Sequence, residues 1–198
     1  MSEKLISAPA VEPVTLTEAK AQGIIETSAY DDLVTSKIAA ARQWVENYLG
    51  RALVAQTWRT RLDCFPGRII RLNHSPLQSV TSINYLDTNG DSQLLSTDYY
   101  DVDTDSEPGR IALAYGYEWP DTQPSIQAVT IESVHGYDGT GDSPLDLTGI
   151  PQAIKDAILI LVMELYENRN LTVLGLDKTV LDAAESLLFP YRVQTYVY

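Results

Sequence analysis

A chain of 198 residues is long enough to bury a proper core, and a formal charge of −13 with a pI near 4.4 argues against a surface that wraps nucleic acid. The 14 Lys and Arg are spread along the chain rather than clustered, and the single cysteine, Cys64, rules out an intramolecular disulfide. The first residues, MSEKLISAPAVEP, carry no long apolar run after their one Lys, so no secretion signal is expected. The apolar run at 157–163 is too short to span a membrane and is flanked by charge, so the expectation is a soluble protein with no membrane partner.

In chain order, residues 1–14 hold Pro9 and Pro13 among small residues and read as a flexible N-terminal arm. Thr15 and Glu18 have capping-box spacing, which predicts a short helix to about Gln22 with Gly23 as its stop. Asp31 is the expected N-cap of a second helix over 32–49, stopped by Gly50. Its buried stripe is Val34, Ile38, Ala41, Val45 and Tyr48; Arg42, Glu46 and Asn47 fall elsewhere, in solvent or at an interface.

From about Leu53 the apolar period changes from 3.6 to 2. Trp58, Thr60, Leu62 and Cys64 then share one side of a strand, and Thr57, Arg59, Arg61 and Asp63 the other. Pro66-Gly67 predicts a turn, with strands at 68–72 and 79–86 after it. Asn89-Gly90 marks a hairpin, because both residue types tolerate positive φ. Short strands are expected at 93–95, 99–102 and 110–113, and a last clear one at 128–135. A Gly- and Asp-rich loop covers 136–149.

The long helix at 151–169 is the element around which the rest is expected to pack. Pro151 suits its first position, and Ile154, Ile158, Leu161 and Leu165 repeat at helical spacing. Residues 158–163 are apolar without a break, a collar rather than a stripe, which demands burial on more than one side. A fourth helix is expected at 178–189, capped by Asp177 and stopped by Pro190. Its apolar face is Val180, Leu181, Ala184, Leu187 and Leu188, and an aromatic tail of the kind that docks on a partner follows. The fold class expected is α+β: a small helical bundle with a β-rich insertion between the second and third helices. Helical parts at 15–50 and 151–189 and an insertion at about 53–135 would form one domain over 15–189, and 190–198 the tail.

Catalytic and metal chemistry find little footing. Asp87, Asn89, Asp91 and Asp98 echo a calcium loop, but Gly90 sits at the fourth position and no Glu closes it, so a solvated hairpin turn is preferred. Asp101, Asp103, Asp105 and Glu107 read as an exposed acidic loop. His74, His135 and Cys64 lack the spacing of a zinc site or a nucleophilic dyad. No phosphate-binding glycine loop is present, and no cofactor is expected. Twelve tyrosines and three tryptophans suggest an alternative, a β-rich carbohydrate-binding module using Trp119 and Tyr137. The preferred reading puts Trp44 and Trp58 in the core and Trp119 as a cap on the β-insertion.

An ordered set of short stretches resembles a known family. It runs from Val14 to Lys20 (VTLTEAK), from Ile38 to Arg42 (IAAAR) and from Trp44 to Leu53 (WVENYLGRAL). Gln56-Thr57-Trp58, Ser75-Pro76, Val80 and Tyr85-Leu86-Asp87 follow. Trp119-Pro120, Gly136-Tyr137, Ile150-Pro151 with Ala153-Ile154, Leu165 to Arg169 (LYENR) and Leu188 to Arg192 (LFPYR) complete it. Together they resemble the head–tail connector proteins of tailed phages and prophages, also called adaptor or head-completion proteins, over about 14–192. The resemblance implies a non-enzymatic virion protein made in the host bacterial cytoplasm and built into the neck. It implies a homo-oligomeric ring, commonly a dodecamer, beneath the portal protein. Such a ring extends the DNA channel, passes DNA without sequence-specific binding, and offers a platform to the next neck or tail-completion protein. On that basis the second and third helices would carry subunit contacts, with Arg42, Ile158, Leu159, Val162 and Met163 as the interface residues. The tail, with Pro190, Tyr191, Arg192, Tyr196 and Tyr198, would reach the portal.

Overall fold

The structure, a computed structural model, describes residues 1–137, 147–168 and 178–193. Where the sequence led to one domain with an insertion, the chain forms two compact units. One holds Met1–Ala10 and Ala55–Tyr137; the other holds Val11–Val54 and the described residues from 147 to 193. The α+β class holds, with four α-helices and two antiparallel sheets among the described residues.

The β unit begins with a strand where an arm was expected. β1 (Ser2–Ser7) runs antiparallel to β2 (Gln56–Leu62), with Glu3 opposite Thr60 and Leu5 opposite Trp58. The remaining strands are β3 (Ile69–Arg71), β4 (Leu77–Leu86), β5 (Ser92–Leu94), β6 (Tyr100–Asp103), β7 (Arg110–Leu113) and β8 (Val129–His135). They form a five-stranded sheet in the order β1-β2-β8-β4-β5 and a three-stranded sheet in the order β3-β7-β6. Alternation decides which side of each strand is buried. Along β8, Val129, Ile131, Ser133 and His135 point inward while Thr130, Glu132 and Val134 are half-exposed. Leu62, Leu77, Ile83, Val129 and Ile131 from the larger sheet meet Ile70, Tyr100 and Ile111 from the smaller in one core. Gly109 is where backbone must come close: a Cβ there would lie 2.4 Å from the Cβ of Leu77.

The helical unit holds α1 (Leu16–Gln22), α2 (Asp31–Leu49), α3 (Gln152–Glu167) and α4 (Lys178–Leu188), the last followed by a 3-10 turn at Phe189–Tyr191. The capping box forms as expected: the Glu18 amide donates to the Thr15 hydroxyl at 3.1 Å, and the Thr15 amide to the Glu18 carboxylate at 2.6 Å. Asp31 does not cap α2. Tyr30 holds the N-cap position with no side-chain bond, and the Asp31 carboxylate pairs with Lys20 at 2.6 Å instead. Gly50 stops α2 in the left-handed region at φ 66°. The stripe of α2 is buried at Val34, Ile38, Ala41, Val45 and Leu49, whereas Tyr48 is half-buried. Pro151 precedes the first helical residue of α3 rather than occupying it. α3 packs against α1, α2 and α4, so three neighbours within its own unit share its apolar girth.

Candidate assembly surface

The collar of α3 divides into two groups. Ile158, Leu161 and Val162 are fully buried in the protomer, while Leu159, Ile160 and Met163 are half-exposed. The inner group is accounted for by α1, α2 and α4; only the outer group is left for a neighbour. Leu159, Met163 and Tyr166 stand four and three residues apart, which lines them along one flank of the helix. Met163 lies against the chain at Gly23, and Tyr166 meets Tyr30 edge-on at 6.1 Å, so this flank runs toward the loop between α1 and α2.

That loop walls an open cleft of about 570 Å³, lined by Leu16, Ala21, Ile24 and Ile25, with Lys20, Glu26 and Asp31 beside them. Lys20 ties its two ends, bonding Asp31 and, at 3.0 Å, the Thr27 carbonyl. Ile24 is 83% exposed and has φ 51°, a backbone setting that disfavours a β-branched residue.

Arg42 is not at the surface. It is 7% exposed and bonds Glu12 and Glu46, each at 2.7 Å. Burial works against its charge, but the two carboxylates outweigh it and raise its pKa. Glu46 also accepts the Leu53 amide at 3.0 Å, so this cluster fastens the approach to α1 and the exit from α2 onto the body of α2. The guanidinium is thus engaged within the protomer rather than displayed to a neighbour.

The described part of the tail also lies against its own unit. The Val193 amide donates to the Leu49 carbonyl at 2.9 Å, and Arg51 Nε donates to the Tyr191 carbonyl. Arg192 lies over the Tyr48 ring at 5.3 Å, and Tyr48 stacks on Trp44. Phe189 and Pro190 are exposed. Tyr196 and Tyr198 lie outside the described residues, as do Asp177 and positions 138–146 of the Gly- and Asp-rich loop.

In the β unit the two histidines do meet, though not as a reactive pair. His74 stacks on Trp58 at 3.7 Å and lies 6.2 Å from His135, whose Nε2 is 2.8 Å from the Ser133 hydroxyl. Ser133 and His135 are at most 1% exposed, so no substrate reaches them. Burial first, and the neighbouring charge of His74 second, lower the His135 pKa to about 4. Glu3 of β1 accepts a bond from Asn73 at 3.0 Å and lies 3.3 Å from His74. Burial tends to raise the Glu3 pKa, but these contacts outweigh it and lower it. Cys64 is exposed.

The calcium-like stretch is a hairpin turn. One oxygen of Asp87 accepts the amides of Asn89 and Asp91 at 2.9 and 3.0 Å, and the other accepts the Gln93 side chain at 2.9 Å. Among the described residues no group of three or more His, Cys, Asp or Glu is placed to hold a metal ion. Trp119 caps the β core as expected, stacked on Phe65 at 4.7 Å with its N–H on the Gly67 carbonyl. Trp44 and Trp58, expected in the core, are half-buried in ring stacks. No helix among the described residues is long and apolar enough to cross a membrane.

Residues 13–89 match the model of the phage gp6-like head-tail connector protein family. That stretch takes in α1, α2 and β2 to β4. In fold the chain is similar to one in the neck of an empty GTA particle computed with C6 symmetry, at TM-score 0.81 and 18% identity, over 100% of this chain and 98% of that one. It is similar also to a chain of the virion of a native gene transfer agent (GTA) particle, at TM-score 0.78 and 19% identity, over 100% and 98%. A third similar chain is from the neck of a native GTA particle computed with C12 symmetry, at TM-score 0.68 and 18% identity, over 98% and 97%. Among curated proteins, none matches.

Proposed function

We propose that this chain is a structural subunit of the neck of a tailed-phage-like particle, a phage, a prophage or a gene transfer agent, where copies form a ring between head and tail. The observation that carries the reading is the pairing of a connector-family match over residues 13–89 with a fold likeness that spans the whole chain. Two of the similar chains come from necks computed with C6 and C12 symmetry, which favours a ring, with twelve copies as the proposed number. A subunit contact that repeats by rotation about one axis closes into such a ring. The half-exposed flank of Leu159, Ile160 and Met163 supplies apolar surface for that contact.

The ring sits beneath the portal, continues its channel, and gives the next neck or tail-completion protein a place to attach. DNA must slide through such a channel without sticking. A subunit of net charge −13 suits that task, because phosphate neutralisation by Lys and Arg is what holds DNA to protein. With the Val193 amide bonded to Leu49 and the Tyr191 carbonyl to Arg51, portal contact is assigned to the tail beyond them, Tyr196 and Tyr198 included.

Deleting the gene from its source tests the reading. The expected result is DNA-filled heads without tails, restored to tailed particles by the intact chain supplied in trans. Normal numbers of tailed particles in the deletion strain would refute it.

A further inference from the structure

The contact that closes the ring can be drawn from the two ends of α2. At its N-terminal end lies the cleft of Leu16, Ala21, Ile24 and Ile25, with Glu26 at the rim. At its C-terminal end lies the 3-10 turn Phe189–Tyr191, held there by the Val193–Leu49 and Arg51–Tyr191 bonds. α2 has 19 residues, so the two sites are about 28 Å apart along its axis. Neither can satisfy the other inside one protomer.

The two ends are complementary in chemistry. Phe189 is 65% exposed, a large ring with no cover of its own. Arg192, three residues later and also exposed, follows the turn as its C-cap in extended backbone, with its guanidinium over the Tyr48 ring at 5.3 Å. The donor end is therefore an exposed aromatic ring followed three residues later by an exposed guanidinium. The acceptor end is an apolar cleft next to a carboxylate, since Glu26 is exposed and makes no ion pair among the described residues. The left-handed φ of Ile24 keeps an apolar side chain in solvent at a conformational cost, and contact with a neighbour would offset that cost.

We infer that copies of this chain join head to tail, with Phe189 of one copy seated in the Leu16–Ala21–Ile24–Ile25 cleft of the next and its Arg192 against that copy's Glu26. The inference rests on the ring reading above and names the contact within it. Because donor and acceptor are different surfaces of one chain, the contact is heterologous and repeats from copy to copy until it closes. Met163, half-exposed on α3, lies against Gly23, next to Ile24 of the cleft.

The test is a pair of cysteines in a Cys64→Ser background, Ile24→Cys with Phe189→Cys, oxidised in assembled rings formed by the chain alone or on purified particles. A covalent ladder that rises one subunit at a time to the full ring is expected, while either single cysteine stays monomeric. A disulfide needs the two Cα atoms within about 7 Å, so the ladder reports direct apposition. Rings that give no ladder overturn the docking and leave the ring reading standing; absence of rings from every sample overturns both. A dimer formed by Ile24→Cys alone would show a two-fold contact and also overturn the docking. Charge exchange gives an independent check on folded protein. Glu26→Arg or Arg192→Glu alone weakens assembly about tenfold or more, and the two together restore it; failure of the double variant to recover counts against the pairing.

Discussion

At the scale of single residues, the most consequential groups are those whose charge the fold has settled in advance. His135 is buried against Ser133 and beside His74, and its pKa of about 4 lies below the ordinary 6.5. A base whose folded pKa is depressed is held neutral by the fold, so the unfolded chain binds more protons between those values. Stability from this group is present above about pH 6.5 and is lost as the pH falls toward 4. The loss amounts to about 3 kcal/mol if the whole shift is expressed. Denaturant melts at pH 7.0, 6.0 and 5.0 should show the decline, and His135→Gln should flatten it; an unchanged slope would contradict this assignment. Arg42 shows why such residues hide from a sequence reading. Its carboxylate partner Glu12 lies 30 residues away, beyond any local pattern, whereas Thr15 and Glu18 meet within one turn and were legible from spacing alone. The same limit hid Asp31, whose aptitude for capping lost to a Lys20 partner brought in by α1.

At the scale of elements, α3 sets out what its apolar run is for. Half of the collar fills the unit's own core, and the other half faces outward. Leu161→Ala should cost about 2–5 kcal/mol of folding stability by leaving a cavity. Leu159→Ser should cost less than about 1 kcal/mol and weaken assembly instead. Thermal melts and sedimentation of the two variants separate these effects, and equal loss of stability in both would contradict the division. Helices and inner strands were readable because their periods of 3.6 and 2 are local: α2, the β4–β5 hairpin and β7 fall where their spacing puts them. β1 was not readable. Its SEKLIS sequence is polar and mostly exposed, and it is a strand because β2 lies alongside and Glu3 finds Asn73 and His74, all distant in sequence. The cleft-forming loop between α1 and α2 was missed for a similar reason, since an exposed Ile24 looks in sequence like any other apolar residue.

At the scale of the whole molecule, what the sequence offers is class and sign of charge. Connector-like stretches in order and an acidic composition led to the expectation of a structural role, and residues 13–89 match the connector family model. Which apolar or charged residues reach the surface could not be read that way, because burial is decided by the fold: Arg42, Ile158 and Val162 turn inward, and Phe189 and Ile24 turn out. On the function proposed above, copies of this chain stand in a closed ring at the junction of head and tail. A reconstruction of the neck of the purified particle tests it most directly. A ring of density into which this fold fits copy by copy around the DNA channel is expected; a neck whose density accommodates no such ring would overturn the proposed function.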